Sequence, residues 1–111
     1  MKNRYKKRIK KITQYRRKQF KNVEGFNAKK LAEECAELNL ILLQNMTQPH
    51  NVSLNDIIEE LGDVKITIHC YIEDLKRKYG EEVIDRLIEK RVDYKTNRLL
   101  KKFKRLKNGK R

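Results

Sequence analysis

The stretch at residues 53–75, SLNDIIEELGDVKITIHCYIEDL, decides the fold. Leu54, Ile57, Ile58, Leu61, Val64, Ile68, Ile72 and Leu75 recur at steps of three and four, the period of one α-helix face and not the alternation of a strand. Ser53 precedes the first apolar residue and Asp56 follows three places on, so the segment opens with a reciprocal cap of the S-x-x-D kind. Ile66 and Cys70 add apolar material on another side, which predicts that two faces of this helix are covered. Gly80, directly after Tyr79, is placed as the glycine that ends it.

The same reading extends in both directions. Upstream, Leu31, Cys35, Leu38 and Leu42 share a helix face over residues 28–46, and Ala32, Ala36, Leu40 and Leu43 widen it, so much of this helix is expected to be covered. A polar break at 47–51, containing Pro49, ends it. Before it, a break at 22–27 centred on Gly25 leaves Asn27 as the expected cap. Residues 2–21 form a first helix with a thin stripe of Tyr5, Ile9, Ile12 and Phe20. Residues 81–106 form a fourth, with Val83, Ile84, Leu87, Ile88, Val92, Leu99 and Phe103 as its apolar members. Nothing alternates as a strand does and nothing repeats, so the expectation is an all-α bundle of four helices. We divide it into a basic N-terminal arm at 1–26, a helical domain at 27–106 and a basic tail at 107–111. A chain of 111 residues with 38% hydrophobic content buries little surface alone, and self-association is the natural remedy.

Charge is distributed in three blocks. Residues 1–30 carry 13 basic and 1 acidic residue, residues 31–74 carry 1 basic and 9 acidic, and residues 75–111 carry 15 basic and 5 acidic. Basic flanks of this strength suit polyanions, whether free nucleotide or nucleic acid. No run approaches the ~18 consecutive apolar residues of a membrane span, the richest being the four from Leu40 to Leu43. The basic start lacks the apolar core of a signal peptide. Cys35 and Cys70 form no C-x-x-C pair and are expected as small core residues in a reducing, cytoplasmic setting. His50, in the expected loop, and His69, on the polar side of the third helix, are read as bystanders.

The acidic centre holds the unusual chemistry. At about 100° per residue, Glu34 falls between Ile41 and Leu38, inside the apolar sector of its helix. Glu37 projects beside it one turn on, and Glu60 and Asp63 repeat that i, i+3 arrangement on the next helix. Four carboxylates would converge if the two helices form a hairpin. Like charges that close, partly stripped of water, call for protonation, a Lys or Arg partner, or a divalent metal. An oxygen-only donor set without His or Cys points to Mg²⁺ or Mn²⁺.

The segments Glu33-Glu34-Cys35-Ala36-Glu37 and Glu60-Leu61-Gly62-Asp63, separated by 22 residues, resemble the EExxE and ExxD motifs of the MazG-like all-α nucleoside triphosphate pyrophosphohydrolases. The resemblance extends to Lys30-Leu31-Ala32 before the first motif and to the Ile-Ile-Glu-Glu-Leu-Gly-Asp-Val run at the second. Downstream, Asp93-Tyr94-Lys95-Thr96-Asn97-Arg98-Leu99 is similar to the last helix of small, phage-type members. It implies Mg²⁺-dependent cleavage of a (d)NTP between the α- and β-phosphates, giving the monophosphate and pyrophosphate. Carried over by position, it makes Glu34, Glu37, Glu60 and Asp63 the metal ligands, while Glu33 would orient a water or a second metal. It also implies a homodimer or homotetramer, in the host cytoplasm for a phage-encoded chain. Asn27 departs from the pattern, standing where many relatives would have Gln.

A triphosphate also needs cations from the protein. Lys95 and Arg98, i, i+3 on the fourth helix, are the first choices and Arg91 the next. Tyr71 and Tyr94 are the aromatic residues nearest to a base-reading role. The rival reading is a nucleic-acid-binding protein whose acidic centre is structural or inactive. Its basic arms, interleaved with Tyr5, Tyr15 and Phe20, would track phosphates without sequence preference.

Overall fold

The computed structural model describes residues 2–20 and 23–109. They form four helices and no strand: α1 (Asn3–Gln19), α2 (Val23–Thr47), α3 (Leu54–Tyr79) and α4 (Glu81–Lys107), with a short 3₁₀ turn at Pro49–Asn51 between α2 and α3. The all-α expectation holds. No helix among the described residues is long and apolar enough to cross a membrane. Internal contacts gather into two compact units that divide between Leu75 and Lys76.

In the first unit, α3 starts as its sequence dictates. The Ser53 N–H donates to Asp56 Oδ2 at 2.9 Å and the Asp56 N–H donates to Ser53 Oγ at 3.1 Å, so two donors that the helix start leaves bare are satisfied reciprocally. The break expected at 22–27 is not there from Val23 onward. Lys21 and Asn22 lie outside the described residues, but α2 already runs through Gly25 and Asn27. Asn27 caps nothing. Its side chain is wholly buried, its Oδ1 accepts from Arg16 Nη1 at 2.6 Å, and its Nδ2 donates to Asp74 Oδ2 at 2.6 Å. One amide therefore ties α1 to α2 and α3, and its demand for two tertiary partners overrides its preference for a cap. Phe20, just past α1, stacks on Phe26 with ring centroids 4.5 Å apart, and the Arg16 guanidinium lies 5.2 Å from the Phe26 centroid.

The apolar core is small. Among the described residues of the first unit Ile9, Val64 and Cys70 are the buried apolar side chains, and Thr13, Asn27, Glu34, Thr67 and Asp74 are buried polar ones; in the second unit Ile84 is buried. The expected covering of α2 is absent within the single chain: Ala32 and Ala36 are exposed, Leu40 is 68% exposed, Leu43 50% and Met46 77%. On α3, Leu54, Ile58 and Leu61 are likewise exposed, and so is Ile66. Cys35, expected in the core, is exposed, whereas Cys70 is buried as expected. Too little chain is available to cover both helices, as scaling of surface with size requires. Burial pushes the Cys70 thiol above its ordinary value, with Asp74 and Glu73 adding to the rise and Arg16 and Thr13 opposing it. It is a neutral packing group and not a nucleophile. His50 lies exposed in the 3₁₀ turn and His69 is half-buried on α3.

The second unit contains the end of α3 and all of α4. Gly80, with φ +101°, donates its N–H to the Lys76 carbonyl at 2.8 Å and its own carbonyl accepts from the Ile84 N–H at 3.2 Å, ending one helix and starting the next. That positive φ suits glycine and penalises any residue with a Cβ. Lys76 Nζ pairs with Asp85 at 3.2 Å across the same turn. α4 continues through Lys107 and closes on Asn108, one residue beyond the expected end; Lys110 and Arg111 of the expected tail lie outside the described residues.

Candidate metal centre

Helical spacing on α2 puts Glu34 where the sequence pattern predicts, on the inward side. It is 6% exposed, an uncommon position for a carboxylate. Glu33 and Glu37, one residue before and three after, are exposed. Glu60 on α3 is half-buried opposite them, so one carboxylate oxygen from each of Glu34, Glu37 and Glu60 falls within 4.8 Å of the others. Three of the four expected ligands therefore meet across the α2–α3 hairpin. Asp63 is exposed and outside this trio. Its charge still reaches Glu60, and its carbonyl accepts from Thr67 Oγ1 at 2.7 Å.

The electrostatics are those of an undercompensated anionic cluster. Lys30, one turn before Glu34 on α2, pairs with Glu34 Oε1 at 3.0 Å. The hydrogen bond and charge of Glu34, with smaller contributions from Glu33 and Glu37, hold the Lys30 ammonium above its usual pKa. This is the ion-pair partner that helical spacing allows, but it satisfies one oxygen only. Glu34 Oε2 and Glu60 Oε2 are buried and accept no hydrogen bond. Loss of solvent, then the charges of Glu37, Asp63, Glu34 and Glu59, push the Glu60 carboxyl above the usual glutamate range. Buried acceptors without a donor are uncommon and call for an explanation.

An open cleft of about 700 Å³ adjoins the trio, lined by Glu37, Leu40, Ile41, Leu43, Gln44, Thr47, Gln48 and Glu60. The volume is in the usual range for a small-molecule site. Gln44 and Gln48 were not among the residues singled out in the sequence. Gln44 had a signal, since it follows Glu37 by seven positions and so shares its helix face, whereas Gln48 lies one residue past the end of α2, where helical period does not reach. Gln44 and Gln48 bring amide donors and acceptors to a cleft that has carboxylates at one end.

The expected phosphate cations lie on α4, in the second unit. Lys95 and Arg98 share a concavity of about 570 Å³ with Leu99, Lys101, Lys102, Arg105 and Leu106. Arg91 sits over the Tyr94 ring, 5.6 Å from its centroid. Tyr94 is exposed and Tyr71 half-buried. No family model, curated protein or solved structure matches the chain. The MazG-like resemblance therefore stands on its motif residues alone.

Proposed function

We propose that the chain is a Mg²⁺-dependent nucleotide pyrophosphohydrolase that converts a (d)NTP to the monophosphate and pyrophosphate. The observation that supports this most is the pair of buried, unpartnered oxygens on Glu34 and Glu60, two carboxylates that gather with Glu37 beside the Lys30 ammonium. A hard divalent cation takes oxygen ligands at ~2.1 Å, which sets them about 3.0 to 4.2 Å apart, so small side-chain adjustments bring the trio to ligand spacing. Mn²⁺ fits the same donors. When bound, such an ion neutralises phosphate charge and lowers the pKa of a coordinated water. Glu34, Glu37 and Glu60 would hold it, Asp63 would join them, and exposed Glu33 would orient the attacking water as general base. The amides of Gln44 and Gln48 would fix the substrate in the cleft. Lys95, Arg98 and Arg91 keep their proposed role as triphosphate contacts, which rests on the resemblance and on their charge.

The reading includes self-association, because apolar residues of α2 and α3 are left open in the single chain, and a cytoplasmic setting, where triphosphates and Mg²⁺ abound. It is tested by pyrophosphate release from a panel of canonical and modified (d)NTPs, with Mg²⁺ and with EDTA, beside Glu60→Gln. Release that requires metal and falls at least about 100-fold in the variant is the expected result. No release from any substrate by the folded, Mg²⁺-loaded protein sinks it.

A further inference from the structure

The acids of α4 gather on one side of its circumference. At about 100° per residue, Glu81, Glu82, Asp85, Glu89 and Asp93 fall within one third of the helix, while Lys90, Arg91, Arg98, Lys101, Lys102 and Arg105 occupy the half that contains no acid. Residues 94–107 hold seven Lys and Arg and no Asp or Glu. Every residue from 85 to 109 is exposed. Cations three and four positions apart on an exposed face repel one another, so this face is destabilising by itself and gains from an anionic partner.

Its length and its aromatic residue indicate which partner. From Lys90 to Arg105 the cationic face runs about 22 Å, longer than one triphosphate, so it spans several phosphates of a polynucleotide. Tyr94 lies in the middle of the cationic half, with Lys90 and Arg98 four residues to either side, and is 56% exposed. The Arg91 guanidinium lies over the ring, 5.6 Å from its centroid. An exposed ring amid cations suits base stacking, a contact that single strands offer and paired duplex bases do not.

We propose that the cationic face of α4 binds single-stranded nucleic acid without sequence preference, with the backbone along Arg98, Lys101, Lys102 and Arg105 and a base stacked on Tyr94. This does not require hydrolysis at the carboxylate site, though Arg98 is shared with the triphosphate contacts proposed above, and it assigns the rival reading's chemistry to α4.

The test is fluorescence anisotropy with labelled oligothymidylate of about twenty nucleotides. It is run in EDTA between about 50 and 200 mM salt, with a duplex of equal length and with vesicles of phosphatidylcholine and phosphatidylserine as further arms. The triple variant Lys101→Gln/Lys102→Gln/Arg105→Gln is expected to bind the single strand at least about tenfold more weakly and to flatten the slope of log K against log salt by about 2. Tyr94→Ala is expected to weaken single-strand binding about tenfold while leaving the salt slope and duplex binding unchanged. Circular dichroism verifies that both variants retain wild-type helix content. An unchanged triple variant would assign binding to another part of the chain and overturn the proposal. So would tighter binding to duplex than to single strand, insensitivity to Tyr94→Ala, or binding to anionic vesicles without binding to oligonucleotide.

Discussion

Asn27 and Glu60 illustrate how much one residue decides in a chain with so small a core. The Asn27 amide is wholly buried and hydrogen-bonds Arg16 on one side and Asp74 on the other. Asn27→Ala removes both buried hydrogen bonds and the tie they make between three helices, so we expect a loss of about 1–3 kcal/mol, measured as a lower urea midpoint at unchanged m-value. Glu60 works the other way. Its carboxylate is held among like charges with one oxygen bare. Glu60→Gln should therefore raise the thermal midpoint in EDTA at neutral pH, and should also abolish the rise that added Mg²⁺ gives the wild type. A wild type whose midpoint ignores Mg²⁺ would argue against the metal reading before any substrate is tried.

At the scale of the element, the start of α3 is the best-specified boundary in the molecule. Hydrogen bonds from the Ser53 backbone and side chain lower the Asp56 pKa below its ordinary value. A carboxyl depressed in the folded state contributes stability above its unfolded pKa of about 3.9, and that contribution disappears as pH falls through the folded value. Asp56→Asn should flatten the acid limb of the stability–pH curve in that window while leaving the neutral pH shape unchanged. Ser53→Ala should cost about 1 kcal/mol by chemical denaturation. This boundary was legible in the sequence because each hydrogen bond joins residues three apart. The start of α2 was not, because Gly25 and Asn27 carry a local signal for a break that long-range partners outweigh. Asp74 lies 47 positions from Asn27, a pairing that no periodicity along one helix reports.

For the molecule as a whole, the single chain leaves Leu40, Leu43 and Met46 on α2 and Leu54, Ile58 and Leu61 on α3 open to solvent. Exposed apolar surface on that scale marks an interaction surface. We expect sedimentation equilibrium to give a dimer or larger species, and Leu43→Glu to shift it toward monomer. A wild type that stays monomeric at high concentration would remove self-association from the proposed function. The cleft beside Glu37 and Glu60 includes Leu40 and Leu43 in its wall, so the same variant should also disturb the site.

By itself the sequence determined the helical class, the α3 cap, the Gly80 turn and the inward placement of Glu34, because each follows from spacing within one helix or from a bond between near neighbours. It also marked the carboxylates worth watching, through motif residues that no matching relative supplements. Only the tertiary structure decided which of them gather: Glu34, Glu37 and Glu60 each bring an oxygen within 4.8 Å of the others, and Asp63 stands outside that group. It also decided that Asn27 is a buried tie and not a cap, that Cys35 and the far side of α2 remain exposed, and that Gln44 and Gln48 line the cleft. The physical reason is common to all of these. Helical period specifies which side of a helix a residue occupies, whereas burial and ligand geometry depend on what the neighbouring helix brings to that side.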